Sequence, residues 1–343
     1  HRYVGSKSKP QLSMIGSKKW TSQIKKAKKA AEGVALEILE KYSNKTNKRS
    51  FLYVPENDFD NQLKNTFSFV ETPDQEKAIQ DVLTDMNKET TMDRLICGDV
   101  GFGKTEVAIR GVFKSFLSSR LSVFLCPTTI LANQHYITCK NRLAGFGVVI
   151  ELLTRFQSKK EQLEILKKLN KKKVDVVIGT HRLLSKDVNM PNVGLLVVDE
   201  EHRFGVQHKE QIQSLKANLD TLTLTATPIP RTLQQSLVGL RSLSIMSSPP
   251  KYRRPIFTSV RYFDWDLIFS KIEFELHRGG QVYFLHNDTK SIPLVVNKLK
   301  NKFKKFTITG ASGKMSSGEL ENTVLSFFEG GVDVLVCITI IES

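Results

Sequence analysis

The sequence predicts an α/β protein with a mainly parallel sheet and a nucleotide-binding loop at the end of one strand. Three observations support this fold class. Short apolar runs alternate with helical stretches from Phe67 to about Ser247, a phosphate-loop pattern follows the first of these runs, and a shorter α/β pattern follows a proline-rich linker. Buried strands that alternate with helices are typical of parallel sheets, because parallel strands need crossover connections.

The phosphate-loop pattern G-x-x-x-x-G-K-[ST] is formed by Gly98, Asp99, Val100, Gly101, Phe102, Gly103, Lys104 and Thr105. An apolar run over 94–97 predicts a strand before it, and the spacing over 106–113 predicts a helix after it. The glycines allow the backbone to wrap a phosphate, Lys104 reaches the terminal phosphates, and Thr105 holds Mg²⁺. A glycine-rich turn with an unrelated lysine is the alternative, but the agreement of pattern and flanks favours a nucleoside triphosphate site.

Along the chain, residues 1–16 are polar and irregular, and Ser17 is a candidate cap for a long amphipathic helix to Tyr42 with a basic first half. A polar connector occupies 43–66. Apolar runs at 94–97, 121–126, 148–153, 174–178, 193–198 and 222–225 predict strands. After the linker at 247–255, a helix over 264–277 and strands over 281–285 and 332–336 predict a second α/β unit, which we expect to be incomplete at Ser343.

Composition narrows the class of protein. The 343 residues suffice for two domains, and no apolar run approaches the ~20 residues of a membrane span, so no membrane partner is expected. The four cysteines lack metal-ligand spacing, which favours a reducing, cytoplasmic location. The net charge is +16, and residues 1–50 carry thirteen Lys and Arg against three Glu. Such an excess favours nucleic acid, although a solvated lysine-rich face explains the charge equally well.

Polar residues follow several of the predicted strands, where ligands gather in open α/β sheets. Asp199 suits Mg²⁺ binding and Glu200 suits orientation of an attacking water, although acidic residues here could also cap a helix. The hydroxyls of Thr225 and Thr227 can hydrogen-bond the acidic pair and sense the γ-phosphate, with an ordinary strand-end turn as the alternative. His202 is a further candidate for coupling, although most histidines have a structural role. Thr128, Thr129, Thr180 and His181 lie between strands and helices, where hydroxyl and N–H groups clamp phosphates.

Taken together and in order, these motifs resemble those of superfamily 2 helicases and translocases. They are Gly-Asp-Val-Gly-Phe-Gly-Lys-Thr, Pro-Thr-Thr-x-Leu-Ala-x-Gln-His, Gly-Thr-His, Asp-Glu-Glu-His and Thr-Ala-Thr-Pro-Ile-Pro-Arg-Thr. The resemblance is closest to the bacterial transcription-repair coupling factors, whose motor is similar to that of RecG. It implies two RecA-like domains, ATP with Mg²⁺, double-stranded DNA, RNA polymerase and, for the full-length protein, nucleotide-excision-repair proteins.

The resemblance also implies roles for individual residues. Phe69, Thr72 and Gln75 would form the adenine motif, with Phe69 stacking on the base and Gln75 bonding its edge. Thr128, Thr129, Gln134, Arg155, Thr180 and His181 would contact the DNA backbone. It further implies a tail of a polymerase-binding domain at 1–16, a relay helix and connector at 17–66, a first RecA-like domain at 67–250 and a truncated second one at 251–343.

The sequence departs from the family pattern near its end. Ile338 stands where threonine is usual, and Ser312-Gly313-Lys314-Met315 replaces the family's His-Gly before Met. The arginines that complete the ATP site would lie past residue 343, so we expect this chain to bind ATP–Mg²⁺ but to hydrolyse it poorly. A duplex DNA translocase motor is the leading hypothesis. A RecG-like fork-remodelling helicase, a nucleotide-gated binding module without turnover and a small-molecule kinase are the alternatives.

Overall fold

The computed structural model describes residues 48–227, 242–251, 253, 256–313 and 315–338. The expected helix at 17–42 and the Pro-Ile-Pro-Arg-Thr part of the last motif lie outside these residues. The described helices are α1 Asp58–Asn65, α2 Pro73–Met86, α3 Lys104–Leu117, α4 Thr129–Leu143, α5 Lys159–Asn170, α6 Val206–Lys216, α7 Trp265–His277, α8 Ile292–Lys302 and α9 Ser317–Phe328. The strands are β1 Asp93–Gly98, β2 Leu121–Leu125, β3 Ile150–Leu153, β4 Val176–Gly179, β5 Val193–Asp199, β6 Asp220–Thr225, β7 Ser242–Met246, β8 Val282–Leu285, β9 Ile308–Ala311 and β10 Val334–Cys337.

The larger sheet has seven strands in the order β3-β4-β2-β5-β6-β1-β7. Every neighbouring pair is parallel, for example Leu95 opposite Thr223 and Val197 opposite Leu222. The strands β2, β4 and β6 are buried along their whole length, which explains why they appear as continuous apolar or β-branched runs rather than alternating ones. This RecA-like arrangement confirms the predicted fold class.

Two apolar clusters cover the two faces of this sheet. One packs α2 and α3 against β1, β5 and β6 through residues such as Val82, Val112 and Leu224. The other packs α5 and α6 against the opposite face through residues such as Leu166 and Ile212. Because the helices hold both faces, the carboxyl ends of the strands remain the open edge at which the polar motifs collect.

The second unit has a three-stranded parallel sheet in the order β8-β10-β9. Its β9 and the β7 edge strand of the larger sheet were not predicted from the sequence. Strand β9 is only four residues long and contains Gly310, and β7 alternates serine with apolar residues. Neither gives a continuous apolar run, and among the described strands both lie at the edge of their sheet. The division near residue 250 is consistent with the two sheets, and the exact domain boundaries stay a prediction.

Candidate functional site

The phosphate loop turns from β1 into α3 through two glycines in the left-handed conformation. Gly101 has φ of 80° and Gly103 has φ of 82°. A Cβ atom on Gly103 would lie 2.3 Å from the Gln75 side-chain nitrogen, so a larger residue has neither the dihedral freedom nor the space. Gly103 also caps α3 without a side chain. The N–H groups of the first turn of α3 are therefore not claimed by a capping side chain, and an anion is their natural partner.

Lys104 is held on the loop itself. Its Nζ donates to the carbonyl oxygens of Gly98, at 2.7 Å, and Asp99, at 3.1 Å. Partial burial lowers the pKa of Lys104, while the charges of Asp199 and Glu200 act in the opposite direction. The ammonium group and the two carboxylates thus share one electrostatic environment, although they follow different strands.

A cavity of about 720 Å³ opens beside the loop. Its walls include Phe69, Gln75, Gly101, Gly103 and Thr105, together with residues of α4. Phe69 is 62% exposed, and its ring meets that of Phe67 edge-on at 5.6 Å between ring centroids. A volume of this size fits a nucleotide-sized ligand, and Phe69 presents a ring face that has room for a base.

Thr72 and Gln75 form the capping box of α2, which accounts for both being buried. The Thr72 hydroxyl accepts from Gln75 N at 3.2 Å, and the Gln75 Oε1 accepts from Thr72 N at 2.7 Å. The Gln75 Nε2 donates to Phe102 O in the phosphate loop at 2.8 Å. Both ends of this amide are therefore used inside the protein. The expected contact with an adenine edge remains a prediction, and it would require Nε2 to exchange the Phe102 carbonyl for the base.

Arg253 was not singled out from the sequence, but it lies directly against the phosphate loop. Its guanidinium nitrogens donate to Asp99 Oδ2 at 3.2 and 3.3 Å, and its Cζ lies 4.9 Å from the centroid of the Phe102 ring. The Val100 N–H and the Arg253 side chain hold the pKa of Asp99 below its usual range. The only signal in the sequence was the basic character of the linker at 247–255.

Asp199 ends β5 and is 7% exposed. Its Oδ2 lies 2.8 Å from Nε2 of His135, a buried residue of α4 whose ring packs on Phe124. Sequence reasoning quoted His135 within the Pro-Thr-Thr stretch without assigning it a role. Its position seven residues after Thr128, two helical turns away, is the signal that could have placed it on the inner face of α4.

Glu200 has φ of 46° and ψ of 50°, a left-handed conformation that is costly for a residue other than glycine. Two contacts hold its side chain. Oε1 accepts from Ala226 N at 2.8 Å, and Oε2 lies 3.3 Å from Nδ1 of His202. The strained backbone turns the carboxylate away from the strand axis, and the next strand, β6, fixes its direction.

The candidate coupling residues lie around Glu200 in a slightly different way from the one predicted. We expected the hydroxyls of Thr225 and Thr227 to bond the acidic pair. In the structure these hydroxyls bond each other at 2.7 Å, and the intervening Ala226 N–H makes the contact with Glu200. His202 does contact Glu200. Their sensing role stays a prediction.

The donor set fits Mg²⁺ bound together with a nucleotide. Among the described residues no group of three His, Cys, Asp or Glu could hold a metal alone. Mg²⁺ sites in nucleotide hydrolases need only one or two protein oxygens, because phosphates and water supply the others. The Asp199 carboxylate and the Thr105 hydroxyl, at the ends of β5 and of the phosphate loop, are the residues that would hold it.

The residues predicted to contact DNA follow β2, β3 and β4 at the same edge of the sheet. Thr128 caps α4, and Gln134 is exposed on its second turn. Thr180 is buried. His181 stacks on His208 with ring centroids 5.0 Å apart. The structure thus brings these residues to the edge that carries the phosphate loop and the acidic pair.

Thr129 and Arg155 share one partner, which sequence reasoning did not identify. Glu321 of α9 accepts from the Arg155 guanidinium at 3.0 Å and from the Thr129 hydroxyl at 3.4 Å. Half of the Arg155 side chain remains exposed. A carboxylate of the second unit therefore occupies donors that were assigned to DNA phosphates.

Known proteins share this arrangement. Residues 72–236 match the family of DEAD/DEAH box helicases. The whole chain is 45% identical to 29% of the transcription-repair-coupling factor of Bacillus subtilis and 43% identical to 30% of that of Escherichia coli. A solved structure of RecG bound to a three-way DNA junction has a TM-score of 0.71 and 28% identity, covering 93% of this chain and 44% of that one.

The similarity to the coupling factors includes all 343 residues, whereas each relative is more than three times as long as the matched segment. The phosphate loop, the acidic pair and six of the seven strands of the larger sheet lie inside the helicase match, and β7 at Ser242–Met246 lies just beyond it. Residues 72–236 thus match the DEAD/DEAH box helicases, and the chain is similar over its whole length to the transcription-repair-coupling factors, of which it corresponds to about three tenths.

Proposed function

We propose that the chain is part of an ATP-driven motor that moves along double-stranded DNA. One observation carries the proposal: the candidate hydrolytic residues Asp199 and Glu200 follow β5, and the candidate DNA-contacting residues follow β2, β4 and β3, which are the next three strands of the same sheet. A movement of the hydrolytic residues can therefore reach the DNA-contacting residues through adjacent strands of the sheet. A kinase would need the phosphate loop but not the polar residues at the ends of β2, β3 and β4.

In the proposed cycle the chain's own residues bind and orient. The phosphate loop and Lys104 hold the β- and γ-phosphates, and Phe69 stacks on adenine. Mg²⁺ would neutralise phosphate charge when bound. Glu200 would orient the attacking water and accept its proton, with its carboxylate held by Ala226 N–H. Closing of the two units on DNA and their reopening after hydrolysis would move the protein along the duplex.

The wider role follows from the relatives by name. The matched proteins are called transcription-repair-coupling factors, and the RecG structure contains a three-way DNA junction. We propose that the motor acts on duplex DNA, pushes stalled RNA polymerase forward and promotes recruitment of nucleotide-excision-repair proteins in the cytoplasm. Among the described residues no helix has the length and apolar character needed to cross a bilayer. A RecG-like fork-remodelling helicase is the second candidate, favoured by the similarity in fold.

The proposal is tested by measuring how nucleotide affects duplex binding and how duplex affects ATP hydrolysis. Labelled duplex DNA is titrated with the protein in the presence of an ATP analogue or of ADP. Phosphate release is measured with and without duplex in a longer form of the protein that includes the arginines expected past residue 343. We expect sequence-independent binding that weakens steeply with salt, and duplex-stimulated ATP turnover. Duplex binding that changes with nucleotide while turnover stays undetectable would favour the nucleotide-gated binding module. If the protein does not bind duplex DNA and duplex does not change phosphate release, the motor hypothesis is rejected.

The pH dependence of DNA binding provides a further prediction. Partial burial, the neighbouring His208 and the Arg155 charge lower the pKa of His181, so the ring is neutral near pH 7. An approaching phosphate favours the protonated ring, so DNA binding takes up a proton and the affinity for DNA rises as the pH falls below 7. We expect about a threefold to tenfold gain between pH 7.5 and pH 5.5.

Fluorescence anisotropy with labelled duplex measures this dependence. His181→Gln should flatten it, whereas His277→Gln, a change at an exposed histidine of α7, should leave it intact. An unchanged pH profile in His181→Gln would contradict the assignment of His181 to the DNA surface.

A further inference from the structure

Helix α4 contacts three parts of the site along its length. In its first turn the Thr129 hydroxyl bonds Glu321 of α9. In its middle His135 bonds Asp199. In its last turn Arg142 donates to Glu106 at 2.9 and 3.0 Å. Glu106 is the residue that directly follows Thr105 of the phosphate loop. The helix therefore connects the predicted DNA-contacting end with both the acidic pair and the nucleotide cavity.

The His135 contact is built into the core rather than added at the surface. The residue is 8% exposed, and its ring lies 4.4 Å from the Phe124 ring, centroid to centroid, with 32° between the planes. An ionised carboxylate only accepts hydrogen bonds, so Nε2–H of His135 donates to Asp199 Oδ2 at 2.8 Å. Packing against Phe124 fixes the orientation of the His135 ring, and the hydrogen bond from that ring fixes the orientation of the Asp199 carboxylate.

The predicted DNA-contacting turn of α4 and the His135–Asp199 contact lie close together along the helix. Thr129 and His135 are six residues apart, which is about 9 Å along a helix axis. A hydrogen-bonded helix moves as a unit over such a distance. A small displacement of the first turn of α4 therefore alters the His135–Asp199 contact directly.

The first turn has a bond that a phosphate would replace. Glu321 accepts from both Thr129 and Arg155, which are donors suited to a phosphate oxygen. Phosphate and carboxylate compete for the same two donors because both are anions. DNA binding would therefore change the contacts of α4 where the helix begins.

We infer that His135 is a positioning residue that aims the Asp199 carboxylate at Mg²⁺ and makes this aim depend on DNA through helix α4. The inference rests on the proposed function, since it assigns the first turn of α4 to DNA. Outer partners of metal ligands are worth about 10-fold to 100-fold in metal affinity. The contact is thus strong enough to couple the DNA site with the nucleotide site.

Two substitutions separate the hydrogen bond from the packing. His135→Phe keeps an aromatic ring against Phe124 and removes the donor. His135→Gln keeps a side-chain N–H that is able to reach Asp199. The measurement is binding of a fluorescent ATP analogue during a Mg²⁺ titration, with and without duplex DNA. Binding in EDTA provides the reference for an intact nucleotide cavity.

We expect duplex DNA to lower the Mg²⁺ concentration that the unmodified protein needs for half-maximal binding of the ATP analogue. His135→Phe should raise that concentration at least about tenfold without DNA, abolish the effect of duplex and leave binding in EDTA unchanged. His135→Gln should recover part of both effects. His277→Phe, at an exposed position of α7, should behave like the unmodified protein.

The outcomes separate the inference from the proposed function. If the unmodified protein binds no duplex, the proposed function fails, and the DNA-dependent part of the inference fails with it. If duplex binds and shifts the Mg²⁺ requirement equally in the unmodified protein and in His135→Phe, the inference alone is wrong. An unchanged dependence on Mg²⁺ and duplex in His135→Phe, together with weakened binding in EDTA in His135→Gln, would support a packing role and overturn the positioning role.

Discussion

Lys104→Ala is expected to lower the affinity for ATP by on the order of 100-fold, about 3 kcal/mol. The ammonium group is the cation that the phosphate loop supplies, and the loop brings it close to Asp199 and Glu200. Without Lys104 the phosphates would face those two carboxylates with no positive side chain from the loop between them. Titration of a fluorescent ATP analogue measures the loss.

The loss should come from binding and not from unfolding. Within the described part of the chain Lys104 Nζ bonds the carbonyls of Gly98 and Asp99, which water is able to satisfy after the substitution. We therefore expect a nearly unchanged thermal midpoint. Lys300→Ala, at an exposed position of α8, is the matched control. Retention of full ATP affinity in Lys104→Ala would remove the phosphate loop from the candidate site.

Glu200→Gln is expected to slow ATP hydrolysis by about 100-fold to 10,000-fold while ATP affinity stays close to that of the unmodified protein. Glutamine has the same length, and its carbonyl oxygen accepts from Ala226 N–H as the carboxylate does. It does not accept a proton from the attacking water. The backbone of residue 200 keeps the same strained conformation, so the change is confined to proton transfer and water orientation.

Phosphate release, measured with a form of the protein that turns ATP over, gives the rate, and nucleotide titration gives the affinity. Glu210→Gln, an exposed position on α6, provides a control with the same chemical change. Turnover within a few-fold of the unmodified rate would assign the water-positioning role to another residue. A parallel loss of affinity would indicate that Glu200 acts on nucleotide binding instead.

The sequence alone predicted the parallel α/β class and most strands of the larger sheet. The predicted run at 193–198 corresponds to β5 at Val193–Asp199, and the run at 222–225 lies inside β6 at Asp220–Thr225. These strands were predictable because burial on both faces makes them continuously apolar or β-branched. Strands β7 and β9 were missed because their sequences lack a continuous apolar run. They are strands because each pairs with a neighbouring strand in its sheet.

The sequence by itself also determined which residues follow which strand, and hence the candidate phosphate loop and acidic pair. Only the tertiary structure decided which partners these residues have. Gln75 bonds Phe102, His135 bonds Asp199, and Glu321 bonds both Thr129 and Arg155. These pairs lie 27 to 192 residues apart in the chain. Such contacts depend on strand order and helix packing, which local periodicity does not record.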